Sequence, residues 1–190
     1  FSAKHILEAL TEKVKEQGLR LGKKIWIIAE SDLNDAKIVR SKEACGYGLD
    51  AQWSDDFHHA LHAYVTGERT SYYEDFGTLK HLAKAVEKTF VLDGIYSKSR
   101  RRRHGNSAEN ISGEHFIICT QNHDQVGNRA LGERLGSLVS FQLDKVCAAL
   151  VLISVVLIVI PPPESVVRLV NAVVPPTAPP KVVVPDVLAV

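Results

Sequence analysis

The chain has 190 residues, 45% of them apolar and 24% charged, which suits one globular domain or part of a larger one. A formal net charge of +1 gives no global pull toward nucleic acid, membranes or acidic ligands. Three scattered cysteines, Cys45, Cys119 and Cys147, exclude a disulfide scaffold or a CxxC metal site, and imply free thiols in a reducing cytoplasm.

In chain order, Ile6, Leu7, Leu10 and Val14 recur at helical spacing with charges between them, predicting an amphipathic helix over Ala3–Gln17. Gly18 and Gly22 punctuate the turn after it. Lys24–Ala29 is a continuous apolar, β-branched run, the pattern of a strand buried on both faces, and it ends in Glu30-Ser31-Asp32. Tyr47–Trp53 predicts a shorter strand ending in Ser54-Asp55-Asp56, with a helix over Phe57–Val65 behind it. Leu79, Leu82, Ala83 and Val86 mark a further helix, and Ser97–Gly113 reads as polar loop. His115–Thr120 predicts a third buried strand, ending in Gln121-Asn122-His123-Asp124.

Composition shifts near Ser137. Only six charged residues lie beyond it, and all eight prolines fall at or after Pro161. The division expected is 1–136 as a unit of alternating helices and strands and 137–190 as an apolar Val/Leu/Pro-rich tail. Val146–Ile160 is short of the roughly 20 residues that span a bilayer, so a buried helix or strand is expected and no membrane partner. Pro161-Pro162-Pro163 would stop a helix, and Val173-Val174 and Val182-Val183-Val184 have strand composition. No secretory signal opens the chain. The chain has no methionine, and Phe1 opens it, so it is expected to begin inside a longer gene product.

Strands alternating with helices over short connections predict an α/β fold with parallel strands. Each of the three strands ends in a carboxylate-bearing cluster, and the C-terminal ends of parallel strands are where (β/α) barrels build their active sites. Three strands cannot close an eight-stranded barrel, so either the chain is a fragment of one or its fold is something smaller.

Among the constellations, Glu30 sits where an apolar strand meets polar loop. Desolvation there raises a carboxyl pKa, which suits a general acid; a solvated strand-terminal glutamate is the plain alternative. His123 and Asp124, if on extended backbone, would point to opposite sides and hold different parts of a ligand. Alternatively they cap a helix starting near Val126. His58 and His62, at i and i+4, have zinc-ligand spacing, but no glutamate or third ligand accompanies them, and a helix surface is expected. Arg100–Arg103 with His104 is a basic run without aromatic platforms; a loop over the site with one arginine turned inward suits it better than nucleic acid. Gly18–Lys23 has the wrong spacing for a phosphate loop.

Four segments in order carry a resemblance: Ala29-Glu30-Ser31-Asp32-Leu33-Asn34-Asp35; Gly46-Tyr47-Gly48-Leu49-Asp50-Ala51-Gln52-Trp53-Ser54-Asp55-Asp56-Phe57-His58-His59-Ala60-Leu61-His62; Thr66-Gly67-Glu68 with Tyr72-Tyr73-Glu74-Asp75-Phe76-Gly77; and Gln121-Asn122-His123-Asp124-Gln125-Val126-Gly127-Asn128-Arg129. Over about residues 3–135 the chain resembles the maltooligosyltrehalose trehalohydrolases, glycoside hydrolases of the α-amylase clan. The resemblance implies the (β/α)8 barrel from the helix after strand four through strand seven. It implies Glu30 as general acid/base, Asp124 as the carboxylate stabilising the transition state, and His123, with Asn122 beside it, on the sugar. Arg103 and Tyr72 or Tyr73 would line the site, with Trp53, Asp55 and Asp56 at the trehalose-recognising rim. The substrate implied is an α-glucan ending in trehalose, cleaved without metal or organic cofactor in the cytoplasm; oligomeric state is not implied. The family's nucleophile aspartate would lie ahead of Phe1, so these residues alone are expected to be inactive. The alternatives are another clan member, branching or debranching, and a non-catalytic carbohydrate-binding fragment.

Overall fold

The computed structural model describes residues 4–158. Helix α1 (Ile6–Leu21) opens with the His5 side chain accepting from the Leu7 amide (3.2 Å) and closes on Gly22 in the left-handed region, φ 62°. It runs four residues past the expected end because Gly18 is a contact rather than a break. Gly18 is buried, and a Cβ there would stand 2.7 Å from the Lys23 carbonyl. Strand β1 (Ile28–Ala29) follows, then β2 (Ala51–Trp53) with α2 (Asp55–Thr66), and α3 (Leu79–Lys88). A hairpin of β3 (Ile95–Ser97) and β4 (Arg102–His104) precedes β5 (Phe116–Ile117), and α4 (His123–Gly127), α5 (Leu135–Leu138) and α6 (Phe141–Ile158) complete the described chain.

The sheet order is β1-β2-β5 and every pairing is parallel, with Ile28 opposite Ala51 and Gln52 opposite Phe116. The fold is therefore α/β, with all three strand C-termini at one edge. Two apolar clusters hold it. One packs Phe57, Ala60 and Leu61 of α2 against Leu82 and Ala85 of α3, reaching Tyr73, Phe76, Leu135 and Cys147. The other joins Ile38, Val39 and Leu49 to Phe90 and Phe116, whose rings meet edge-to-face at 5.4 Å.

Three expectations are corrected. The run Lys24–Ala29 yields a strand of two residues, half-buried, with Trp26 44% exposed. Among the described residues β1 pairs only with β2, and an edge strand lacks the cover that burial on both faces needs. The stretch from Ser97 is not all loop: it contributes Ser97 and β4 to the hairpin, turned through Arg101 at φ 53°. Most of its side chains face solvent, so no apolar alternation marked it. Val146 to Ile158 is helical, but Val146, Leu152 and Ile153 are exposed rather than buried. No helix of the described residues is long and apolar enough to cross a membrane. The prolines and valines expected beyond Ile160 lie outside the described residues.

Candidate active site

Parallel pairing sends the residues after β1, β2 and β5 to the same edge of the sheet, and there the sequence has placed its carboxylates. Ligand atoms of Glu30, His123 and Asp124 all lie within 4.8 Å of one another. Residues from the two ends of the parallel sheet's sequence, Glu30 after β1 and His123 and Asp124 after β5, thus share one mouth. Glu30 is exposed rather than desolvated, so the burial expected of it belongs to other carboxylates. The three groups are within reach of one cation, but no second feature points to one.

His123 and Asp124 do not sit on extended backbone. They form the first turn of α4, and His123 Nε2 stands 3.2 Å from Asp124 Oδ1, so the two face each other. Neither is the cap. Asn122 caps α4, its side chain accepting from the Asp124 amide (2.8 Å), while the Gln125 side chain accepts from the Asn122 amide (2.8 Å). Asn122 therefore shapes the turn that carries Asp124.

Behind β2 the two aspartates diverge. Asp55, at the start of α2, is half-buried, and burial pushes its carboxyl up to about 6, with Asp56, Asp32, Asp124 and Glu30 adding repulsion. Asp56 is 3% exposed and is not a rim residue. Its Oδ2 accepts from Asn34 Nδ2 (2.9 Å) and from the amides of Val91 (2.7 Å) and Leu92 (2.8 Å), tying the loop after β1 and the chain after α3 to α2. Burial raises its pKa, and those three hydrogen bonds oppose the rise. Trp53, the last residue of β2, is half-buried at the sheet edge.

The basic run supplies one arginine to this edge, and it is Arg100. Its guanidinium donates to Asp32 Oδ2 (2.9 Å), two residues beyond Glu30, and His104 Nε2 donates to the Asp32 carbonyl (2.8 Å). Arg103 is exposed and donates instead to the Gly94 carbonyl (3.0 Å), bracing its own hairpin. The run alone could not distinguish them; the hairpin turn at Arg101 does.

The histidines of α2 are buried, not a helix surface: His58, His59 and His62 are 0%, 8% and 1% exposed. Burial drives all three pKa values down, His58 to about 4 and His59 well below its usual range, so each is neutral near pH 7. His58 Nδ1 contacts the Thr120 carbonyl (2.5 Å) and Nε2 the Tyr73 hydroxyl (2.9 Å). Tyr72 is half-buried with its ring 4.7 Å from that of His59, and Tyr73 stacks on His62 at 4.5 Å. Tyr73, at 4% exposure, packs beneath the mouth rather than lining it.

A three-stranded parallel arc with carboxylates gathered past its C-terminal edge is the architecture of a partial TIM-barrel-type α/β fold. The crystal structure of a provisionally assigned alpha amylase from Salmonella typhimurium shares this fold, with a TM-score of 0.68 and 34% sequence identity over 76% of this chain and 25% of that one. No family model matches the chain. A malto-oligosyltrehalose trehalohydrolase from Saccharolobus solfataricus is 50% identical over 153 residues, and one from Arthrobacter ramosus 48% over 152, each covering 80% of this chain and 26% of the relative. The Mycobacterium tuberculosis enzyme of that name is 44% identical over 135 residues. The chain matches the malto-oligosyltrehalose trehalohydrolases over most of its own length, and it spans about a quarter of the length of the curated relatives it matches.

Proposed function

We propose that this chain is the part of a trehalohydrolase barrel running from the helix after strand four through strand seven, and that it supplies two of the catalytic carboxylates. The single observation carrying this is the meeting of Glu30 and Asp124 at one sheet edge, their oxygens within 4.8 Å. In this reading Glu30 protonates the glycosidic oxygen as the bond breaks, then takes a proton from the attacking water. Asp124 stabilises the positive charge that grows on the ring. Retention of configuration needs a carboxylate nucleophile about 5–5.5 Å from the acid, on the other side of the bond, and in this reading it comes from the end of strand four. His123 hydrogen-bonds the sugar in the cleaved subsite, and Asp55 and Trp53 contact the trehalose end. The bond cut is the α-1,4 linkage beside a terminal trehalosyl unit, releasing trehalose and a shorter glucan. The free thiols Cys45, Cys119 and Cys147 support a cytoplasmic setting.

The test is product analysis on maltotriosyltrehalose with the longer protein that contains this segment. Free trehalose is the expected product, and Glu30→Gln should lower kcat by about 10²–10⁴-fold. Transfer to a new branch point, or release of maltooligosaccharides without trehalose, would assign the segment to another clan activity. Wild-type rates in Glu30→Gln would remove Glu30 from the chemistry.

A further inference from the structure

We propose that His58 is a positioning residue: its Nδ1–H, held in that tautomer by Tyr73, clamps the Thr120 carbonyl and, together with the Glu68–Arg129 pair, fixes where the Asp124 carboxylate stands opposite Glu30. This rests on the catalytic reading of Asp124 for its purpose, although the clamp itself is a matter of geometry.

The carbonyl of Thr120 can only accept, so His58 Nδ1 must carry the hydrogen (2.5 Å). A neutral imidazole then has a lone pair on Nε2, and the Tyr73 hydroxyl must donate to it (2.9 Å). Burial pushes the Tyr73 phenol upward, which keeps that hydrogen in place. The tautomer is thereby determined from both sides, as happens when a histidine is used to orient something else. A second tether runs alongside. His62 Nε2 donates to Glu68 Oε2 (2.9 Å), and the same oxygen accepts from Arg129 (2.9 Å).

Thr120 lies four residues before Asp124 and Arg129 five after it. Between them, α4 is a single turn of five residues, too short to hold its own shape in water. Its cap, Asn122, organises the turn internally but does not fix it to the rest of the molecule. The two tethers do, and both end on α2 or on the loop leaving it. Packing alone would be met by a leucine at position 58; a leucine would remove the donor to the Thr120 carbonyl and the acceptor of the Tyr73 hydroxyl.

Amide hydrogen exchange and carboxyl carbon NMR on the whole 190-residue chain test this without any sugar, so they are read independently of the trehalose assay. In His58→Leu, exchange at the Val126 and Asn128 amides is expected to quicken about tenfold while the α3 amides keep their rates, and the Asp124 carboxyl resonance should move. His58→Asn, which keeps an N–H near the Nδ1 position, should restore both. Tyr73→Phe should give a smaller change at the same amides and a mixed-tautomer imidazole nitrogen signature at His58. Uniform acceleration across α2, α3 and α4, or no change at α4, would overturn the proposal and leave His58 a packing residue. Should His58→Leu fail to fold, His58→Asn and Tyr73→Phe decide alone: an unmoved Asp124 resonance and unchanged α4 exchange in Tyr73→Phe would overturn it.

Discussion

At the scale of single residues, the buried polar groups of α2 set both stability and its dependence on pH. Asp56 satisfies two backbone amides and one side-chain amide inside the core, so Asp56→Ala strands the Val91 and Leu92 N–H groups. A loss of about 3 kcal/mol is expected, read as a fall in the urea midpoint. The histidines act through protons. His58 has a folded pKa near 4 against an ordinary value of 6.5, so its contribution is complete above about pH 6.5 and is lost as pH falls toward 4. His58 alone accounts for about 3 kcal/mol over that window, and His59 and His62 shift in the same direction. Asp55 runs opposite. Its carboxyl is raised to about 6, so its charge opposes folding at neutral pH, and that penalty fades as pH drops from 6 to 3.8. Asp55→Asn should therefore stabilise the chain at pH 8 by about 1 kcal/mol, allowing for its partial exposure, with no gain below pH 3.8. Thermal melts across that range check both signs.

At the scale of elements, α4 depends on its cap. Asn122→Ala removes the acceptor for the Asp124 amide and should cost about 1 kcal/mol, seen first as faster exchange within α4. Gly105, at φ 76°, seats the hairpin: a Cβ there would come within 1.9 Å of the Leu92 carbonyl, so Gly105→Ala should detach β4 and with it the His104 bond to Asp32. Elements with strong periodicity were legible in the sequence. The apolar spacing of α1 and α3 located both, and three carboxylate-terminated strands pointed to one edge. What was not legible depended on distant partners. Asp55 and Asp56 are neighbours in sequence, yet distant donors, the Asn34 side chain and the amides of Val91 and Leu92, separate a half-buried carboxylate from a sealed one. His58 and His62 read as surface because nothing local reveals that Tyr73, Thr120 and Glu68 close over them. Arg100 could be told from Arg103 only by the turn between them.

At the scale of the whole molecule, the described chain leaves apolar surface uncovered. Val146, Leu152 and Ile153 on α6, with Phe141 at its start, are between 55% and 70% exposed. Patches of that kind drive association, so the isolated chain should sediment as concentration-dependent oligomers, and Val146→Lys with Ile153→Lys should shift it toward monomer. The carboxylate mouth lies at the far end of the strands from Asp50 and His115, whose hydrogen bond at the opposite edge (2.7 Å) braces β2 to the approach of β5. The carboxylate mouth and this brace thus occupy opposite ends of one short sheet.

Strand β1 offers its outer backbone to no described partner. Such a rim is a seam at which a complementary polypeptide can be stitched. A complementary strand supplied in trans should pair there and slow hydrogen exchange at the β1 amides.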